Sequence, residues 1–175
     1  MKSFLLSCLG VGFLIMSDTS VAGTGRTLLL ETSQGQVEIK LLPDVAPNHV
    51  ERISELAESG FYDGIIFHRV IPGFMAQTGD PTGTGMGGSG KKLDAEFSDY
   101  KYRKGTVGMA RSMSPNSADS QFFICFDGCG HLTGQYTVWG QVETGMEVVE
   151  KIEIGEPPSN PDQIIEAFVG KKKTK

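Results

Sequence analysis

The stretch FHRVIPGFMAQTGD, residues 67–80, places a cation and an amide close to large apolar side chains. Arg69 is positively charged at any physiological pH, Phe74 and Met75 are apolar, and Gln77 can both donate and accept hydrogen bonds. None of these groups is a nucleophile. An apolar pocket with one fixed cation and one amide at its rim suits a reaction in which no covalent bond is made or broken.

A second stretch, SQFFI at residues 120–124, adds another amide and two aromatic rings. Its composition predicts a strand, in which neighbouring side chains point to opposite faces. Only one of Phe122 and Phe123 can therefore line a pocket beside Gln121, and the other is expected in the core.

Three further patterns indicate other chemistry, but their surroundings argue against it. Residues 83–88 read GTGMGG, which matches a dinucleotide-binding pattern, and residues 85–92 come within one residue of a phosphate-binding loop. Both motifs need a helix that begins at the glycines, and the polar residues 91–96 are too few to form one. Ser120 and His131 could be drawn into a hydrolytic triad, but no serine lies in a G-x-S-x-G turn. We expect neither a nucleotide site nor a hydrolytic centre.

The elements that must position these residues are short. Residues 26–31 and 36–42 predict a β-hairpin, and Pro47 begins an amphipathic helix that extends to about Ser59. A second, shorter helix is predicted at residues 146–152, before a last strand at residues 164–169. The other predicted strands are residues 65–71, 74–78, 105–110, 120–126 and 136–142.

Many short strands with only two helices predict a mainly β fold. We expect a closed antiparallel β-barrel with helices covering its ends. Phe and Met side chains fill the interior of a small barrel, which argues against a ligand-carrying barrel.

The first 22 residues have the features of a secretory signal peptide. A short positive start at Lys2 is followed by apolar residues 4–16, and small residues precede a cleavage point after Ala22. The apolar run is shorter than the about 20 residues that a membrane span needs. We expect cleavage near Ala22 and release into the periplasm or the medium, with no stable membrane insertion.

Residues 23–170 have the length of one domain. The basic residues 171–175 are expected to be a disordered tail. The formal net charge of −5 argues against nucleic acid as a partner. A monomer is expected.

Removal of the leader leaves two cysteines, Cys125 and Cys129. On a continuous strand their Cα atoms would lie about 13 Å apart, whereas a disulfide needs less than about 7 Å. A turn at Gly128 and Gly130 and an oxidising compartment would permit a bridge. We nevertheless expect two free or partly buried thiols rather than a disulfide. A metal site is the least favoured of the three alternatives, because no second Cys or His pair has the spacing of metal ligands.

The two opening stretches, together with GTVGMAR at residues 105–111 and SQFFIC at residues 120–125, resemble the cyclophilin peptidyl-prolyl isomerases. The similarity runs from the first hairpin to the last strand. It implies an eight-stranded antiparallel β-barrel capped by two α-helices, with a substrate groove on the outside. It also implies rotation of X-Pro peptide bonds in proline-containing polypeptides, without a cofactor or a metal.

The resemblance assigns a role to each site residue. Arg69 corresponds to the catalytic arginine, and Gln77 to a residue that holds the substrate backbone. Ala110 and Arg111 correspond to positions that bind an extended peptide, with Gln121 close by. The proline pocket corresponds to Phe74, Met75, Phe123 and Leu132.

The chain departs from the common family pattern at two substrate-binding positions. His131 stands where many relatives have a tryptophan that contacts the inhibitor cyclosporin, and Tyr136 stands where a histidine is common. We therefore expect ordinary isomerase activity with weak cyclosporin binding.

The preferred hypothesis is an isomerase that assists the folding of exported proteins, because unaided proline isomerisation takes tens to hundreds of seconds. The alternative is a chaperone or docking module that binds proline-containing segments in the same groove without turnover. The intact Arg69 favours the enzyme.

Overall fold

The computed structural model describes residues 26–170, and its main feature is one antiparallel sheet. The predicted leader and the predicted basic tail lie outside the described residues. The strands are β1 Thr27–Thr32, β2 Gly35–Leu41, β3 Arg69–Ile71, β4 Met75–Thr78, β5 Thr106–Met109, β6 Phe122–Cys125, β7 Val138–Thr144 and β8 Ile164–Val169. The helices are α1 Pro47–Glu58 and α2 Met146–Val149, with 3₁₀ turns at Pro115–Ser117 and Gly130–Leu132.

The strands are ordered β3-β4-β6-β5-β7-β2-β1-β8. This confirms the mainly β fold with eight strands and two helices, but the expectation of a closed barrel is wrong. Within residues 26–170 the edge strands β3 and β8 do not pair, and the sheet curls into a half-barrel. The reason is that Gly155 pairs with the free edge of β3, where Gly155 and Val70 exchange two backbone hydrogen bonds (2.8 and 3.0 Å). Only isolated contacts, such as Ile66 with Gln163, cross the gap.

Helix α1 covers the inner face of the sheet, where it packs against β7 and β8. It begins at Pro47. Proline has no backbone N–H, but the first residue of a helix makes no intrahelical hydrogen bond through that group, so no bond is lost. The next two amides, of Asn48 and His49, donate to the Glu96 carboxylate (3.1 and 3.0 Å), which satisfies groups that the helix itself leaves free. The helix stops before Gly60, whose φ is +72°.

The strands that form the middle of the sheet are apolar on both faces. Phe122 is fully buried on the inner face, where it packs edge-on against Trp139 with ring centroids 5.3 Å apart. Phe123, the next residue, lies on the outer face in a second apolar cluster. The prediction that these two rings point in opposite directions is confirmed.

The two cysteines form a disulfide, so the expectation of free thiols is wrong. The chain turns between Cys125 and Cys129 and brings their Cα atoms to 6.0 Å. The turn passes close to another loop, because the amide of Gly128 donates to the carbonyl oxygen of Gly73 (2.8 Å). A Cβ atom at Gly128 would lie 2.7 Å from that oxygen, so the turn requires glycine there.

The glycine-rich segment is more ordered than its composition suggests. The buried Asp80 carboxylate accepts hydrogen bonds from amides that include Gly85 (2.6 Å) and Gly87 (3.1 Å). Asp119, also buried, accepts the amide of Ser89 (2.7 Å). The backbone donors that a bound phosphate would need are thus already used by the protein's own carboxylates.

Neither a membrane span nor a metal cluster is found between residues 26 and 170. No helix there is long and apolar enough to cross a bilayer. No three His, Cys, Asp or Glu side chains there converge in a way that could hold a metal ion.

Candidate active site

A row of residues crosses the outer face of the sheet, one from each of four adjacent strands. The register places Arg69 of β3 opposite Gln77 of β4, Gln77 opposite Phe123 of β6, and Phe123 opposite Gly108 of β5. Directly opposed residues in antiparallel strands share a face and contact one another. Strand pairing therefore brings together a cation, an amide and an aromatic ring that lie far apart in the sequence.

This row is part of a groove that contains almost all of the predicted site residues. A cavity of about 290 Å³ opens on the outer face. Gln121 instead lines an adjoining cavity of about 350 Å³, which shares Gln77, Ala110 and Arg111 with the first. The first cavity is lined by Arg69, Phe74, Met75, Gln77, Ala110, Arg111, Phe123, His131, Leu132 and Tyr136.

The polar side of the groove is a directional chain of hydrogen bonds. Arg69 Nε donates to the Glu156 carboxylate (2.6 Å), and Arg69 Nη1 approaches Gln77 Oε1 (3.5 Å). Gln77 Nε2 donates in turn to Gln121 Oε1 (2.9 Å), and Gln121 Nε2 donates to the carbonyl oxygen of Gly87 (2.8 Å). The chain holds the guanidinium at the rim of the groove and fixes the orientation of both amides.

The apolar side of the groove is built from stacked rings and a buried floor. Phe74 stacks on His131 with centroids 5.6 Å apart. Tyr136 meets Phe123 edge-on at 5.9 Å. Met75, which is 2% exposed, also lines the cavity and belongs to the same apolar cluster as Phe123. The groove therefore has a preformed apolar wall, with the charged Arg69 at its rim.

The disulfide lies directly behind one wall of this pocket. Cys129 immediately precedes the turn Gly130–Leu132, and its carbonyl oxygen accepts the amide of Leu132 (2.9 Å). The bridge to Cys125 fastens this turn to the end of β6. It thereby restricts the part of the chain that carries His131 into the groove.

The far wall of the groove is held by Arg111. Its guanidinium carbon lies 4.4 Å from the centroid of the Tyr136 ring, a cation–π geometry. Its Nη2 also donates to the carbonyl oxygen of Gln135 (3.0 Å). The amide of Ala110 donates to the carbonyl oxygen of Gln121 (2.9 Å), so this amide is already used within the protein.

A hydrolytic arrangement is excluded by the placement of its candidate residues. Ser120 is fully buried and its hydroxyl donates to the carbonyl oxygen of Gly79 (2.7 Å). His131 lies in the groove against Phe74. His68, which precedes Arg69, is buried, and its pKa is lowered. Burial is the main cause; the charge of Asp80 opposes the shift and that of Arg69 adds to it.

Two residues at the site are not identified by any local sequence pattern. Glu156 lies 87 positions from its partner Arg69. Tyr102 lies outside the regular elements and stacks beneath Phe123, with ring centroids 5.9 Å apart. Both contacts depend on the folded chain.

Comparison with known proteins agrees with this geometry. Residues 27–169 match the family model described as cyclophilin type peptidyl-prolyl cis-trans isomerase/CLD. A probable peptidyl-prolyl cis-trans isomerase of Brucella suis is 48% identical over 167 residues, covering 86% of this chain and 85% of its own length. A peptidyl-prolyl cis-trans isomerase of Synechococcus elongatus is 43% identical over 130 residues, covering 73% of this chain and 89% of its own length.

Solved structures show the same likeness. A cyclophilin-type isomerase of Cryptosporidium parvum superposes with a TM-score of 0.79 at 30% identity, covering 86% of this chain and all of the other. The same protein in the presence of the dipeptide Ala-Pro gives a TM-score of 0.77 at 31% identity, covering 83% of this chain and 99% of the other. Sequence, fold and groove agree, and the chain belongs to the cyclophilin family of peptidyl-prolyl cis-trans isomerases.

Proposed function

We propose that the outer-face groove binds a proline-containing chain and that Arg69 is the catalytic residue. The observation that carries this assignment is the row in which Arg69, Gln77 and Phe123 lie side by side above the apolar floor. The proline ring occupies the pocket of Phe74, Met75, Phe123 and Leu132. The relative from Cryptosporidium parvum studied with Ala-Pro supports a proline-containing ligand for this fold.

The chemistry follows from the electronic structure of the X-Pro bond. Rotation costs about 18–20 kcal/mol because the nitrogen lone pair is delocalised into the carbonyl group. In the twisted transition state the lone pair returns to the nitrogen, which then becomes a hydrogen-bond acceptor. A guanidinium donor beside that nitrogen stabilises the transition state more than the planar ground state. Arg69 can act at any physiological pH because it is always protonated.

The rest of the groove restricts the twist to one bond. The apolar pocket holds the proline ring, while Gln77 and the carbonyl groups near Ala110 hold the chain on the other side. Glu156 fixes Arg69 Nε (2.6 Å), which leaves the other side of the guanidinium for the substrate. No covalent intermediate, metal or cofactor takes part in this scheme.

Replacing Phe123 by alanine tests the placement of the proline ring. We expect KM for an X-Pro peptide to rise about 10- to 100-fold, since a ring of this size contributes about 1.5–3 kcal/mol when buried. The measurement is a peptide isomerisation assay on protein shown to be folded by circular dichroism. Ile124→Val, on the same strand but facing the core, is the control and should keep the original KM. An unchanged KM in the Phe123 variant would place the proline elsewhere.

Cyclosporin inhibition tests the altered wall of the groove. We propose that the protein binds cyclosporin weakly, because His131 offers less apolar surface than tryptophan. His131→Trp should lower the inhibition constant by about tenfold, the effect of burying the additional ring area. The measurement is an inhibition titration of both proteins. Equal affinity in the two would contradict this explanation.

We further propose that the enzyme acts as a monomer on proteins exported to the periplasm or the medium. A single copy of the chain forms the whole groove, which supports a monomer as the working unit. The apolar segment at residues 4–16 supports export. The net charge of −5 supports polypeptides rather than nucleic acid as partners. N-terminal sequencing of secreted protein should begin after Ala22, and a start at Met1 would contradict export through a cleaved leader.

A further inference from the structure

A buried tyrosine supports the groove from below. Tyr102 is 5% exposed and lies outside both cavities described above. Its ring is nearly parallel to that of Phe123, with an angle of 17° and a centroid distance of 5.9 Å. Its hydroxyl donates to the carbonyl oxygen of Thr137 (3.4 Å). Burial raises the pKa of Tyr102, so the hydroxyl stays protonated and can serve as this donor.

The space for this ring exists because the neighbouring strand carries a glycine. A Cβ atom at Gly108 would lie 2.0 Å from the Tyr102 hydroxyl oxygen and 2.7 Å from Phe123 Cζ. The backbone at Gly108 is not in the left-handed region, so glycine is needed here for space and not for conformation. Gly108 is also the residue directly opposite Phe123 in the sheet.

Phe123 is thus in contact with aromatic rings on two sides. Tyr102 lies against one face, and Tyr136 meets the ring edge-on, at an angle of 83°. If Tyr102 were a small residue, the space above Gly108 would be empty and the Phe123 ring could tilt into it. The pocket that receives the proline ring would then lose its defined shape before substrate arrives.

We infer that Tyr102 is a positioning residue for substrate binding, which acts through Phe123 and depends on glycine at position 108. This inference rests on the proposed function of the groove, in which Phe123 contacts the proline ring. Tyr102 itself touches neither the substrate nor the reacting bond. Its effect is therefore expected in KM, with kcat nearly unchanged, because it alters the shape of the pocket and leaves Arg69 in place.

The test compares two buried tyrosines. Tyr102→Leu should raise KM for an X-Pro peptide about tenfold, with kcat within about twofold of the original value. Tyr62 is a matched control, since it is fully buried and packs edge-on against Phe122 on the core face. Tyr62→Leu should lower the melting temperature and leave KM unchanged. Tyr102→Phe keeps the ring, so its KM should stay within about twofold of the original value.

A double variant shows whether Tyr102 acts through Phe123. In the Phe123→Ala background, Tyr102→Leu should change KM no further, because coupled residues are non-additive. Multiplicative effects of the two substitutions, or a KM for Tyr102→Leu equal to that of Tyr62→Leu, would overturn the inference while leaving the proposed groove intact. A normal KM in Phe123→Ala alone would instead contradict the proposed function. Gly108→Ala provides an independent variant and should raise KM in the same direction as Tyr102→Leu.

Discussion

Replacing Arg69 by alanine is expected to lower kcat for an X-Pro peptide by about 10²- to 10³-fold, the usual loss when one preorganised transition-state donor is removed. The dissociation constant of the peptide should change little, because the proline pocket and Gln77 remain. This separation follows from the chemistry, since the guanidinium is needed only when the prolyl nitrogen becomes an acceptor. Arg69→Lys keeps the charge but loses the planar fork of donors, and an intermediate rate is expected.

The assay for Arg69 needs both turnover and binding. Turnover can be followed by the isomerisation of a proline peptide, and binding by calorimetry with the same peptide. Arg103→Ala removes an exposed arginine outside the groove and should leave both quantities unchanged. Unchanged turnover in Arg69→Ala would exclude a catalytic role. Retained binding with lost turnover would also provide a variant for testing whether the cellular role requires catalysis or binding alone.

Replacing Asp80 by asparagine is expected to destabilise the fold by about 3 kcal/mol, because the backbone amides that donate to this buried carboxylate would lose a charged acceptor. In the native protein one carboxylate oxygen accepts from Thr82 and the other from Thr84, Gly85 and Gly87, at 2.6 to 3.1 Å. The asparagine NH₂ group would face some of these donors with a donor of its own. Urea unfolding measures the loss. Asp94→Asn, at an exposed position, should stay within about 0.5 kcal/mol of the original protein.

The same carboxylate predicts how stability depends on pH. Burial alone would raise the pKa of Asp80, but the hydrogen bonds from Thr82, Gly87 and Gly85 outweigh it and lower the pKa from 3.8 to about 2. A carboxyl whose pKa is lower in the folded state stabilises the fold above its unfolded pKa and loses that contribution as the pH falls. About 2 kcal/mol should therefore disappear between pH 4 and pH 2. In Asp80→Asn the decline over this window should be shallower, and an equally steep decline would assign it to other groups.

The sequence predicts the elements well where hydrophobic periodicity is local. Val37, Ile39 and Leu41 alternate and are all buried in β2, and Pro47 begins helix α1 as expected. The separation of Phe122 from Phe123 needs only the strand period of two. The predicted strand at residues 65–71 is shorter in the structure, since residues before Arg69 are held by loop contacts such as Phe67 with Asp162 (2.8 Å).

The candidate groove was predictable through the family resemblance, which assigns every residue that lines the first cavity. His131, Leu132 and Tyr136 lie outside the quoted motifs. What the sequence could not show are contacts between segments that no periodicity links. Three such contacts depend on loop paths that only the complete fold determines. They are the ion pair of Arg69 with Glu156, the stacking of Tyr102 under Phe123, and the pairing of Gly155 with the edge of β3. Whether Cys125 and Cys129 form a disulfide depends on the distance between their Cα atoms. The glycines in the sequence permit a turn there, but only the structure gives the separation of 6.0 Å.

The cross-strand row also determines what enzymatic activity reports about folding. In each of the paired strands, alternate side chains face the core and the groove, so a slip of one residue would move Phe122 into the groove and Phe123 into the core. A compact chain with the right strand content but a shifted register would have no assembled row of Arg69, Gln77 and Phe123. Turnover after refolding is therefore a measure of correct strand register, which compactness or circular dichroism alone does not provide.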